Sequence, residues 1–463
     1  MQSSWGRNTN MERTIMAKLI EWKDRSDRKP LLLTGVRQCG KTYALQRFGE
    51  QQFEDVAYFN FEADDTLASV FDHDFKISRI LDELGSVIRG KQIIPGKTLL
   101  ILDEIQACPR AITSLKYFCE TLPELHVVAA GSLLGIAIRW ENMSFPVGKV
   151  NRLDMFPMSF SEFVSADGGS KLIAGLNKMD LTKEIPAYYT VPLTKYLKLY
   201  YVVGGMPEVV RLWVETHDFA KVAEKQNEIL QDYADDFGKH APVEDLPKIR
   251  MIWESVPTQL AKENNKFIFS HVKSGARAKD LEDALEWLIH AGLVHKLCLV
   301  EKPQIPLSGE ADQTYFKVYL SDLGLLCRRS GVYYRTIMDG DEQFIRYKGA
   351  LTENYVLTEL MAMGIHPCFW RSDANAEVDF LAEEKGMLLP IEVKSADNTR
   401  AKSLRLFCNR YHPELAVKTS LKNVGDSYEG ETHLWSVPLY ALFRLKEYID
   451  AEYDSSAGSD PVY

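Results

Sequence analysis

"PLLLTGVRQCGKTYALQRF", residues 30–48, sets a short apolar run, a glycine-bounded loop and an amphipathic pattern in immediate succession. The run 30–35 reads as a buried strand, and the loop 35–42 has the spacing G-x-x-x-x-G-K-T. In a strand–loop–helix context the loop N–H groups and the positive end of the following helix converge on an anion. Gly35, Val36, Arg37, Gln38, Cys39, Gly40, Lys41 and Thr42 are therefore the candidate cradle for the phosphates of ATP. Lys41 is placed to reach the β- and γ-phosphates, and the Thr42 hydroxyl to hold Mg²⁺.

Outward from this loop, three more apolar runs read as strands: "VAYFNFE" (56–62), "TLLILDE" (98–104) and "LHVVAAGS" (125–132). Amphipathic segments such as "AITSLKYFCETL" lie between them, the alternation of a parallel sheet covered by helices on both faces. Tyr58, Phe59 and Phe61 read as core of the second strand. The third ends in Asp103 and Glu104, so that one carboxylate can serve Mg²⁺ and the next can polarise an attacking water. Ser132 closes the fourth strand, where it would either sense the γ-phosphate or cap a helix. A cation for the transition state is expected from Arg139, Lys149 or Arg152, which sequence does not rank.

Residues 1–165 thus form an expected α/β nucleotide-binding domain. From 166 to 310 the period is helical, and "ARAKDLEDALEWLIHAGLVHKLCLVEKP" has the helix-then-hairpin order of a winged helix. That helix carries Asp280, Glu282, Asp283 and Glu286 against Arg277 and Lys279, a face that repels phosphate. Strand signals return over 311–450, and the polar 451–463 reads as a disordered tail. "GGMPEVV" (204–210) suits a sharp turn where two backbones approach closely.

The chain has a net charge of −10 and seven scattered cysteines without metal-ligand spacing. That excludes a generally basic nucleic-acid binder, a zinc framework and a disulfide scaffold. No apolar run is long enough for a membrane helix, and reduced thiols suit a cytoplasmic setting.

"LLLTGVRQCGKT", "LLILDEIQACP", "AAGSLLG" followed by "FPMSFSEF", "GGMPEVV" and "EVDFLAEEKGMLLPIEVKS" resemble, in order and spacing, a large family of prokaryotic AAA-type P-loop ATPases. The C-terminal half of that family is a domain of unknown function related to the restriction-endonuclease fold. The resemblance implies ATP binding and hydrolysis and a three-part layout, and AAA-type proteins frequently assemble into homo-oligomers.

Within "AEVDFLAEEKGMLLPIEVKSA" (376–396), Asp379, Glu392 and Lys394 fall on strands that otherwise read as buried, and buried charges need partners or a metal. Strand alternation puts Glu392 and Lys394 on one face. The set matches the D…(D/E)-x-K arrangement of restriction-endonuclease-like nucleases, with Glu353 as an additional acid. Glu353, Asp379 and Glu392 are then candidate Mg²⁺ ligands, and Lys394 the cation beside the scissile phosphate. Residues 394–422 hold seven Lys/Arg against two Asp/Glu, which suits DNA backbone contacts or a solvated helix face. A nuclease, a nucleic-acid-binding relic and a structural ion-pair cluster all remain open for the set itself.

Overall fold

The structure is a computed structural model that describes residues 11–132, 145–180, 182–262, 266–339, 342–372, 376–395 and 401–457. It divides into two compact units, one of Glu12–Pro157 with Glu286–Leu293, the other of Met1–Met11, Met158–Leu285 and Val294–Tyr463.

The first unit is built on strands β1 (Leu31–Thr34), β2 (Asp55–Asn60), β3 (Thr98–Asp103), β4 (His126–Ala130) and β5 (Asn151–Asp154), in the order β2-β3-β4-β1-β5. Every pairing is parallel. β3 and β4 are buried along their whole length, which is why they read as continuous apolar runs rather than alternating ones. On one face Leu100, Leu102, Val127 and Ala129 pack against Ile112, Leu115 and Phe118 of the helix Pro109–Thr121. The order β3-β4-β1 sets the carboxyl ends of three strands side by side, where the phosphate loop after β1, Asp103 and Glu104 at the end of β3, and Ser132 after β4 are found. This is a P-loop NTPase fold, as the alternation of runs and helices implied.

The second unit opens with long helices, among them Ala187–Val203, Pro207–Thr216, Phe219–His240 and Leu246–Leu260. Its sheet has eight strands: β6 (Val294–Val300), β7 (Ala311–Leu320), β8 (Cys368–Arg371), β9 (Glu377–Glu384), β10 (Met387–Val393), β11 (Leu415–Ser420), β12 (Gly425–Glu429) and β13 (Thr432–Pro438). Their order is β12-β13-β11-β10-β9-β8-β6-β7. The hairpin expected as a wing forms, β6 antiparallel to β7, but β6 also pairs in parallel with β8. Its backbone groups are thus shared with the C-terminal sheet, so the hairpin continues that sheet instead of closing a separate small domain at about residue 310. The preceding helix, Ala278–His290, exposes Lys279, Asp280, Glu282 and Asp283, the acidic face read from sequence. A closing helix, Leu445–Ala457, extends into the stretch expected to be a disordered tail.

Candidate functional site

In the first unit the loop after β1 turns back on itself with Gly35 at φ 150° and Gly40 at φ 94°. A Cβ on Gly35 would lie 2.2 Å from the Met155 carbonyl oxygen, so any larger residue would push the loop off the edge of β5. Gln38 holds a left-handed φ of 64° between them. Arg13 clamps the loop from below, donating to the carbonyl oxygens of Cys39 (2.9 Å) and Phe156 (2.7 Å). The helix Lys41–Gln52 begins directly after Gly40. Lys41 is buried and its ammonium donates to the carbonyl oxygens of Gly35 (2.8 Å) and Val36 (3.1 Å), above the loop it was expected to serve.

Asp103 ends β3 beside it. Its Oδ2 accepts from the Thr42 hydroxyl at 2.7 Å and from the Tyr58 hydroxyl at 2.8 Å, and its Oδ1 accepts the Glu104 N–H at 3.0 Å. Burial pushes the Asp103 carboxyl above its ordinary range, and the two hydroxyl bonds oppose that rise. Tyr58 is therefore not core, as expected from its strand, but a ligand of the carboxylate: β2 is parallel and adjacent to β3, and alternation turns Tyr58 away from the face that buries Phe59. Asn60, two residues on, donates to the Tyr58 oxygen at 3.2 Å.

Glu104 has φ 49°, in the left-handed region that costs a non-glycine residue of order 1 kcal/mol and that recurs at functional positions. Its Oε2 accepts from Gln106 Nε2 at 2.6 Å and lies 3.4 Å from both the N–H and the hydroxyl of Ser132. The structure thus gathers Lys41, Thr42, Asp103, Glu104 and Ser132 at one sheet edge. Lys149 pairs with Glu120 at 3.0 Å, and the Arg152 guanidinium stacks over Phe145 at 4.7 Å. Arg139 lies outside the described residues.

In the second unit, β9 and β10 are antiparallel with Ile391 opposite Phe380, which puts Asp379 and Glu392 one step further along the same ladder. The Val393 N–H donates to Asp379 Oδ2 at 2.7 Å, and Lys394 Nζ donates to Glu392 Oε1 at 2.5 Å. Burial pushes the carboxyls of both acids up, with Glu392 and Glu353 adding to the rise at Asp379. Glu353, on the helix Glu342–Ala362, lies in the same neighbourhood, but its Oε2 accepts from the Tyr319 hydroxyl at 2.8 Å and lies 3.8 Å from Lys317 Nζ.

Lys317 went unnoticed in the sequence. It lies in the buried run "FKVYL" of β7, is 2% exposed, and donates to Glu377 Oε1 at 2.7 Å. Burial alone would lower its pKa; Glu353, Glu377 and Asp379 outweigh that and hold it charged. The available signal was a lysine inside an otherwise apolar strand, with Tyr319 two residues on and so on the same face.

Among the described residues no three His, Cys, Asp or Glu side chains come together as a metal-holding group. The expected triple of Glu353, Asp379 and Glu392 is not among such groups, and ammonium and hydroxyl donors meet part of its charge: Tyr319 and Lys317 at Glu353, Lys394 at Glu392. Among the described residues Glu392 Oε2 is buried and has no hydrogen-bond partner, which fits a cation bound there.

Three family models match separate stretches of the chain. Residues 27–164 match an AAA domain. Residues 194–335 match Domain of unknown function (DUF8612), and residues 348–442 match Domain of unknown function (DUF4143). The first match, with the loop and strand geometry above, supports a P-loop ATPase of the AAA type. No curated protein matches the chain.

Among solved structures, the chain is similar to the ORC1 protein of Aeropyrum pernix in complex with DNA, at 12% identity and TM-score 0.28, covering 69% of this chain and 90% of that one. AMPPCP-bound DnaA from Aquifex aeolicus matches at 13% identity and TM-score 0.25, with 59% and 86% covered. A signal-transduction ATPase with a tetratricopeptide repeat sensor from Pyrococcus horikoshii matches at 13% and 0.26, with 76% and 45% covered. Likeness at these TM-scores says nothing of what the chain binds. Among the described residues no helix is long and apolar enough to cross a membrane.

Proposed function

We propose that this chain is an ATP-hydrolysing AAA-type switch whose nucleotide state controls a C-terminal nuclease-like domain acting on nucleic acid. The observation that carries the reading is the chain of contacts from Thr42 through Asp103 to Glu104 and Ser132, set beside Lys41 at the carboxyl edge of a parallel sheet. Loop N–H groups and Lys41 would hold the β- and γ-phosphates, and Ser132 would lie beside the γ-phosphate. Mg²⁺ would be held by Thr42 and Asp103, where it supplies positive charge against the phosphates. Glu104 would accept a proton from water as its oxygen adds to the γ-phosphorus and the β–γ bridging bond breaks, giving ADP and phosphate.

For the C-terminal domain, support comes from Asp379, Glu392 and Lys394 meeting at the end of two paired strands, as the D…(D/E)-x-K resemblance requires. The role is Mg²⁺-dependent phosphodiester cleavage, or binding of DNA without it. A regulatory ATPase that binds a protein partner is the second reading, favoured by the exposed acidic face of the helix Ala278–His290 and by Lys317 compensating part of the acid cluster.

The test is incubation of wild type and Asp379→Ala with labelled single-stranded, duplex and branched DNA, with Mg²⁺ or Mn²⁺, with and without ATP. Cleavage that depends on Asp379 and responds to ATP supports the first reading. Neither cleavage nor salt-sensitive binding on any DNA would move the assignment to the second.

A further inference from the structure

The acid cluster of the eight-stranded sheet contains four carboxylates, those of Glu353, Glu377, Asp379 and Glu392, and two ammonium groups, Lys317 and Lys394. With all four acids ionised the cluster would carry a formal −2, the charge that one divalent cation offsets. The two lysines do not serve the four acids evenly. Lys317 Nζ lies 2.7 Å from Glu377 and 3.8 Å from Glu353, and Tyr319 donates to the same Glu353 oxygen that faces Lys317. Glu353 and Glu377 are thereby turned toward an ammonium that is itself almost wholly buried and cannot leave for water.

The other half is arranged differently. Lys394 donates to Glu392 Oε1, the Val393 N–H donates to Asp379 Oδ2, and among the described residues Glu392 Oε2 stays buried without a partner. An unpaired carboxylate oxygen costs desolvation energy unless something positive meets it.

We propose that Lys317 splits the cluster into a closed half and a cation-binding half: Glu353 and Glu377 are its fixed counter-ions, and Asp379 with Glu392 alone hold a single divalent cation. This revises the ligand set read from the sequence by removing Glu353 from it. It is also consistent with the finding that among the described residues no three such side chains are arranged to hold one metal ion, because a hard cation such as Mg²⁺ is commonly held by one or two carboxylates and completed by water and substrate phosphate oxygens. The phosphate donor rests on the nuclease-like reading above, a nucleic-acid backbone; the two-carboxylate half does not. Lys317 is a positioning residue here, because it acts through Glu353 and Glu377 and keeps them from competing for the ion.

The test is Mn²⁺ binding, read by the loss of the free-ion paramagnetic resonance signal, on the full-length nucleotide-free chain. Wild type, Asp379→Asn, Glu392→Gln, Glu353→Gln, Glu377→Gln and Lys317→Met are compared, each first checked for folding by circular dichroism. The ion that Asp379→Asn removes defines the C-terminal site and separates it from any ion at the P-loop. Glu392→Gln is expected to remove that same ion. Glu353→Gln and Glu377→Gln are expected to keep it with no more than about a tenfold loss of affinity, the long-range charge effect alone.

Lys317→Met is expected to tighten Mn²⁺ binding by about tenfold or to admit a second ion, since it frees two carboxylates. If Lys317→Met does not fold, the two glutamine variants decide. Loss of the ion in Glu353→Gln as complete as in Asp379→Asn would overturn the partition, as would a wild type with no ion sensitive to Asp379. Adding a short thymidine oligonucleotide separates this from the functional reading. Two-carboxylate binding that the oligonucleotide does not tighten, with no cleavage, would retire the nuclease-like role and leave the partition standing.

Discussion

Asp103 accepts two hydroxyl hydrogen bonds on one oxygen, from the residue expected to hold Mg²⁺ and from a tyrosine on the neighbouring strand. When Thr42 turns its oxygen to a cation, Tyr58 is the remaining donor to this oxygen, with the Glu104 N–H still on the other, and groups that orient a metal's ligand commonly change affinity by about tenfold or more. Tyr58→Phe is therefore expected to raise the Mg²⁺ concentration for half-maximal ATP hydrolysis by about tenfold, with the rate at saturating Mg²⁺ little changed. A fall in that saturated rate at an unaltered Mg²⁺ requirement would show that Tyr58 acts elsewhere. Lys41→Ala is expected to abolish nucleotide binding measured by calorimetry, and binding that survives would refute the loop assignment. Glu104→Gln should bind ATP as wild type does yet hydrolyse it about a hundredfold or more slowly, because the amide cannot accept the proton.

At the scale of elements, the "GGMP" turn between the helices Ala187–Val203 and Pro207–Thr216 is a junction of three segments. The Gly205 carbonyl accepts the Met158 N–H at 2.6 Å, its own N–H donates to Asp322 at 2.7 Å, and a Cβ there would sit 2.1 Å from the Met158 oxygen. Only backbone lies in the way, so nothing can yield cheaply. Gly205→Ala is expected to cost about 3 kcal/mol or more of stability in urea unfolding. A midpoint equal to that of wild type would mean the segments can separate without loss. The close approach was legible in the paired glycines, but not Asp322, which lies more than a hundred residues away. The same distinction runs through both sites. The phosphate loop, Asp103 and Glu104, and Glu392 with Lys394 are local patterns whose meaning survives without knowing which strands pair. Tyr58 meets Asp103 only because β2 lies beside β3, and Lys317 meets Glu377 only through a sheet that runs from β6 to β13. Arg13 is likewise invisible until the loop and β5 edge are in place.

Across the whole molecule, paired and buried carboxyls respond to pH with opposite signs. In the first, hydrogen bonds from Arg89 hold the Asp55 carboxyl well below its usual range, with Lys91 assisting, so its contribution is present above the ordinary carboxylate pKa and lost on acidification. In the second, burial pushes Asp322 up to about 6 and Glu359 up to about 8. Glu359 sits in the core and accepts the Phe160 N–H at 2.7 Å, a bond that opposes the rise without cancelling it. A carboxyl whose folded pKa is raised binds its proton more tightly in the native state. Its contribution is therefore complete below the unfolded value and is lost as pH rises toward the folded one. For Glu359 that window runs from about 4.5 to about 8, and the loss is on the order of a few kcal/mol. Glu359→Gln keeps a carbonyl oxygen for Phe160 and removes the titration, so its urea midpoint should fall less than that of wild type between about pH 5 and about pH 8.5. Parallel pH profiles for the two proteins would show that Glu359 is ionised in the fold and that its charge is met by a group other than the Phe160 N–H.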